Sequence, residues 1–117
     1  MSRKTLLYIS GPITPTEKYP DINANLKRLC DKAFELFLHG YSVYCPAQLW
    51  IDQNKQVMAV MSKNHYGKLY EDVMEMDMEI IRRCDALYLL KGFQHSKGAV
   101  REHNHAQLLG KPIYYEE

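Results

Sequence analysis

Short apolar runs alternate along the chain with stretches whose apolar residues recur every three or four positions, and this alternation predicts the elements in order. Thr5 to Ile9 is an apolar run closed by Ser10-Gly11-Pro12, which reads as a first strand and its turn. Ile22, Leu26, Leu29, Ala33, Leu36 and Phe37 then follow a helical period, with Asp21 placed to cap the start and Gly40 to end it. Tyr41 to Cys45 reads as a second strand stopped by Pro46. Ala47 to Lys68 carries little periodicity, apart from a short helix suggested over Gln56 to Ser62. Leu69, Val73, Met76 and Ile80 mark a second long helix, with Arg82 and Arg83 at its electronegative C-terminal end. A strand from Asp85 to Leu90, a loop from Lys91 to His95, a helix from about Gly98 to Leu109 and a strand from Pro112 to Tyr115 complete the chain.

Strands that alternate with helices in this way predict an α/β fold: a parallel sheet of about four strands with helices on both faces, a flavodoxin- or Rossmann-like three-layer sandwich. The 117 residues suffice for one domain over 1–117 and one sheet. Ligands of such sheets bind beyond the carboxyl ends of the strands. Here those ends lead into Ser10 to Thr16, Pro46 to Leu49 and Gly92 to Gly98.

Composition narrows the function classes. A net charge of +1 offers no bulk attraction to a polyanion, and the nine tyrosines are not interleaved with basic residues, so a nucleic-acid polymer is not the expected partner. No apolar run approaches the ~20 residues of a membrane span. The three cysteines (Cys30, Cys45 and Cys84) lack CxxC spacing, and Met1-Ser2-Arg3-Lys4 lacks a signal-peptide apolar region. A cytoplasmic protein with reduced thiols, outside any membrane, is the expectation. His95, His103 and His105 do not form a metal-ligand pattern, since His103 and His105 point to different faces of one helix.

Two carboxylates fall where apolar residues belong. Glu102 shares a helical stripe with Ala99, Ala106 and Leu109, and Asp77 lies four residues after Val73 and three before Ile80. A carboxylate facing a core costs free energy unless it is paired, protonated or used. Gly98 precedes Glu102 by one turn and leaves that carboxylate open to a ligand. Two such groups beside one crevice suit glycosidic chemistry, in which one attacks or stabilises an anomeric carbon and the other assists the leaving group. Ser10-Gly11-Pro12-Ile13-Thr14 occupies a βα turn where Gly11 allows close backbone approach, although Pro12 removes one amide donor. Ser96 is placed either to cap the last helix or to meet an anion at its electropositive end. Tyr8, at the end of the first strand, is either a ligand contact or a core tyrosine.

Three segments together resemble the nucleoside 2-deoxyribosyltransferase-like superfamily: Tyr8-Ile9-Ser10-Gly11-Pro12-Ile13, Glu75-Met76-Asp77-Met78 followed by Cys84-Asp85, and Ser96-x-Gly98-x-x-x-Glu102. The last resembles more closely the 2′-deoxynucleoside 5′-monophosphate N-glycosidases, because a serine stands at 96 where the transferases carry an acidic residue. The resemblance implies cleavage or transfer of an N-glycosidic bond of a (deoxy)nucleoside or its 5′-monophosphate, with no metal or organic cofactor. It implies Glu102 as nucleophile, Asp77 as the residue that holds and protonates the base, and Tyr8 as the group that orients the nucleophile or sugar. Ser10, Gly11, Ile13, Ser96 and Gly98 would then bind substrate, and the protein would be a homodimer or higher homo-oligomer. Asp85, at the opposite end of the sheet, is left structural. Pro12 and Thr14 depart from the hydroxyl and cationic side chain that the monophosphate hydrolases offer to phosphate, and the chain stops where those enzymes use a neighbouring subunit's later segment. Lys97, Arg101 or the stretch from Ala47 to Lys68 are the substitutes at hand. The alternatives are a nucleotide-binding or sensor module without turnover, and an NAD-glycohydrolase-like or phosphoribohydrolase-like activity. The last lacks its Pro-Gly-Gly-x-Gly-Thr-x-x-Glu signature here.

Overall fold

A computed structural model describes residues 4–50 and 66–117. Its strands are β1 (Leu6–Ser10), β2 (Ser42–Tyr44), β3 (Ala86–Leu89) and β4 (Ile113–Tyr115). Its helices are α1 (Ile22–Leu38), the short α2 (Ala47–Trp50), α3 (Tyr66–Arg83) and α4 (Lys97–Leu108). A 3-10 turn at Phe93–His95 leads into α4. The short helix expected over Gln56 to Ser62 lies outside the described residues. Among the described residues, no helix is long and apolar enough to cross a membrane.

The four strands form one all-parallel sheet in the order β2-β1-β3-β4. The chain therefore reverses its direction of travel across the sheet between β1 and β3, and the crevice beyond their carboxyl ends is the expected ligand site. The two-residue period of β1 sorts its side chains between two cores. Leu7 and Ile9 pack with Leu26, Leu29 and Ala33 of α1, joined by Ala86 and Leu90. Tyr8 points the other way, toward Leu87, Leu89, Ile81 of α3 and Ala106 of α4. Helices thus cover both faces, as the sequence pattern predicts.

The helix ends follow their capping residues. The Asp21 carboxylate accepts from the amides of Asn23 (2.9 Å) and Ala24 (3.3 Å) at the start of α1. Past the end of α1, Gly40 adopts φ +100°, the left-handed conformation that lets Tyr41 N–H return to Leu36 O (3.2 Å). Asp21→Ala is expected to cost about 1 kcal/mol, a fall of roughly 4 °C in Tm. A thermal melt checks this, and an unchanged Tm would contradict the cap. At the opposite end of the strands from the crevice, Asp85 accepts from Leu6 N–H (2.8 Å), a bond that ties the start of β1 to β3. One apolar position departs from expectation: Leu109, placed on the buried stripe of the last helix, follows α4 as its C-cap and is 40% exposed.

Candidate active site

The carboxylate of Glu102 sits against β1. Ala99, Glu102 and Ala106 form the buried stripe of α4, and the two alanines let the helix approach the sheet closely enough for Glu102 to reach the strand. Tyr8 and Ser10, two residues apart, face the same side, so their hydroxyls bracket the carboxylate. Tyr8 Oη donates to Glu102 Oε2 at 2.5 Å, and Ser10 Oγ donates to Oε1 at 2.6 Å. Both bonds are short, as charge-assisted O–H···O bonds are. They hold each carboxylate oxygen in a defined direction.

Asp77 comes from α3, where Met74, Asp77 and Ile81 are buried at helical spacing, with Cys84 continuing the stripe just past the helix. It is 6% exposed, and its Oδ1 has no hydrogen-bond partner among the described residues. A buried carboxylate oxygen without a donor costs on the order of 1–3 kcal/mol, which a ligand N–H or O–H would recover. Asp77 and Glu102 line the same cleft, together with Ser10, Gly11, Ile13, Ser96 and Gly98. Seven of the eight residues singled out in the sequence therefore meet in one place. The eighth, Tyr8, is fully buried behind them and acts on the cleft through Glu102.

Individual roles are sharper than the sequence allowed. Ser10, expected at the substrate, commits its hydroxyl to Glu102. Ser96 caps α4, its Oγ accepting from Ala99 N–H at 3.2 Å, which leaves its own proton to donate toward the cleft. Gly11 lines the cleft, but a Cβ there would meet Leu90 Cβ at 3.0 Å and Leu29 Cδ2 at 3.3 Å. Close packing against the α1-side core is thus a further reason for a glycine at this position. Arg101, one of the cations proposed to meet a phosphate, forms a two-pronged ion pair with Glu71 of α3 (3.0 and 3.2 Å). No lysine or arginine among the described residues lines the cleft itself. Lys97 borders an adjoining recess with Thr16 and His95. Of the stretch from Ala47 to Lys68, residues 51–65 lie outside the described residues.

The electrostatics couple the two acids. Burial, and then the charge of Asp77, push Glu102 well above the usual carboxylate range, while the Ser10 and Tyr8 hydroxyls pull it partly back. Burial also raises Asp77, against the contacts it makes with Glu102 and Tyr8. Two neighbouring buried carboxylates resist simultaneous ionisation, so the pair titrates as a unit and retains one proton over part of the neutral range. Burial and the two acids push the Tyr8 phenol far above its ordinary value, so it remains a donor. The arrangement supplies an oriented carboxylate, a proton and a cleft between them. Tyr8→Phe removes one charge-assisted donor and is expected to raise the Glu102 titration midpoint by roughly 1–2 pH units. Side-chain carboxyl NMR measures this, and an unmoved midpoint would contradict the hydrogen bond.

Asn25 was not singled out in the sequence. It is a buried amide on the apolar stripe of α1, and its Nδ2 donates to Ile13 O (3.1 Å) and Tyr19 O (3.0 Å). It holds the loop that carries Ile13 and Thr14 to the cleft. The signal was present, since Asn25 is a polar residue on a buried helical face, as are Asp77 and Glu102.

The family model described as Domain of unknown function (DUF4406) matches residues 5–115. No curated protein and no solved structure matches the chain.

Proposed function

We propose that this chain, which belongs to the family described as Domain of unknown function (DUF4406), cleaves or exchanges the N-glycosidic bond of a (deoxy)nucleoside or its 5′-monophosphate. The observation that carries the reading is the pairing of Glu102, oriented by two hydroxyl donors, with a buried Asp77 oxygen in the same cleft that has no partner among the described residues.

In the productive form Glu102 is ionised and Asp77 carries the shared proton. Ser10 favours that distribution, because its hydroxyl donates to Glu102 and stabilises the ionised form. A Glu102 oxygen attacks the anomeric carbon as the carbon–nitrogen bond breaks. The bonding pair goes to the base, which takes the Asp77 proton and leaves neutral. Asp77, now ionised, accepts a proton from water as the water oxygen attacks the anomeric carbon. The glycosyl ester breaks, and Glu102 is restored. A second base in place of water gives transfer. The cleft floor and the amino end of α4 at Ser96 and Gly98 receive the sugar. A 5′-phosphate would extend toward Thr16, His95 and Lys97. The proposed homo-oligomer would cover exposed apolar side chains such as Met76 of α3.

Incubation with a panel of nucleosides, 5′-monophosphates and NAD, followed by detection of free base, tests the reading. Release from nucleosides or monophosphates supports it, and release from NAD alone contradicts it. A second reading, a nucleotide-binding module without turnover, is favoured by one observation: the raised proton affinity of Glu102 works against a free nucleophile. Binding of a monophosphate without base release would establish that reading instead.

A further inference from the structure

We propose that Tyr19 is a positioning residue that locks together the two loops framing the cleft, 11–20 and 91–96. The loops are remote in sequence and bring different groups to the site: Ile13 and Thr14 from the first, Ser96 from the second. The Tyr19 ring lies against Gly92 so closely that a Cβ on that glycine would fall 2.2 Å from Tyr19 Cε2. Gly92 has φ +89°, a conformation side chains rarely adopt, so both the turn and the contact require glycine there.

α1 holds both partners in this contact. Asn25 bonds the Tyr19 carbonyl, and Thr16 closes the turn around it through Thr16 N–H to Tyr19 O (3.0 Å) and Tyr19 N–H to Thr16 Oγ1 (3.1 Å). One turn later, the Arg28 guanidinium lies 4.7 Å from the Tyr19 ring centroid and donates to Lys91 O at 2.8 Å. Lys91 N–H in turn donates to Glu116 Oε1 (2.9 Å), just past β4. Tyr19 is thus clamped between Arg28 and Gly92, and its backbone belongs to the opposite loop. Removing the ring uncouples the loops and leaves Glu102, Asp77, Tyr8 and Ser10 with their bonds intact. Nothing in this contact touches the reacting atoms, so the effect falls on how substrate is held.

The coupling itself does not depend on the N-glycosidic reading, although its kinetic consequence does. Amide hydrogen exchange on the free protein tests the coupling. Tyr19→Ala is expected to speed exchange in both loops by about 10-fold, and Tyr19→Phe, which keeps the ring, is expected to restore protection. Faster exchange confined to 11–20, or no restoration by phenylalanine, would overturn the proposal even if the wild type releases no base. With a turned-over substrate, Tyr19→Ala is expected to raise KM about 10-fold with kcat within about 2-fold and an unmoved pH profile. An unchanged KM, or a fall in kcat with a displaced pH profile, would contradict the positioning role.

Discussion

Glu102→Gln is expected to lower kcat for base release by about 10³-fold or more and, at the same time, to stabilise the protein above neutral pH. The first effect follows from the proposed chemistry, because an amide cannot form or release the glycosyl ester. The second follows from where the carboxylate sits. Its folded-state affinity for a proton is raised, first by burial and then by Asp77. A carboxyl whose folded pKa lies above its unfolded value binds more protons in the folded state. Folding stability therefore falls as pH rises from about 4, the unfolded range, through the folded pKa, and stays lower beyond it. Glutamine does not titrate and has the same shape, its oxygen accepting from one hydroxyl and its amide N–H donating to the oxygen of the other. The variant's advantage is absent near pH 4 and greatest in mild alkali, on the order of 2 kcal/mol, or roughly 5–10 °C in Tm. Melts of both proteins across this range measure it. A Glu102→Gln protein less stable than wild type at pH 8 would show that the carboxylate is a net structural asset, against the picture of a functional group held at a cost.

Asp77→Asn is the second large effect, a fall in kcat of about 10²-fold. The loss is expected to shrink for substrates whose base leaves readily without protonation, because the variant lacks the proton and not the nucleophile. It also changes the shape of the pH profile. In the proposed mechanism the active form of the wild type holds one proton on the pair, so the rate is expected to fall on both sides of an optimum. Asparagine removes the alkaline limb, which belongs to loss of the Asp77 proton. The acidic limb belongs to ionisation of Glu102 beside a neutral partner, and it remains when asparagine replaces the protonated acid. Rate profiles for two substrates of different leaving ability decide this. An equal loss for both, with a bell-shaped profile retained, would assign the proton to another group.

The sequence revealed the parts of the fold that local periodicity controls. Strand positions agree to within a residue or two because buried apolar runs of this length, closed by Gly or Pro, have few alternatives. The start of α3 was harder to place, since the helix begins at Tyr66, ahead of the first clear apolar repeat at Leu69. Glu102 and Asp77 were visible for a simple reason: an ionisable residue on an apolar stripe conflicts with its surroundings. Asn25 carried the same conflict in a milder form. The partners of these residues were less visible. Ser10 and Glu102 are 92 positions apart and Tyr19 and Gly92 are 73 apart, so their contacts depend on which strands become neighbours. Gly11 shows a related limit. Its sequence context marked a turn, and only the packing of Leu90 and Leu29 shows what the glycine avoids.

The central claim is that Glu102 forms a covalent bond to the sugar. Mass spectrometry of the protein quenched during turnover of a nucleoside or 5′-monophosphate, or after reaction with a 2-fluoro analogue that slows hydrolysis, tests it directly. The account predicts one added glycosyl mass, located on the peptide that contains Glu102 and absent from Glu102→Gln. A glycosyl adduct on another residue, or base release that continues at the wild-type rate in Glu102→Gln, would contradict it.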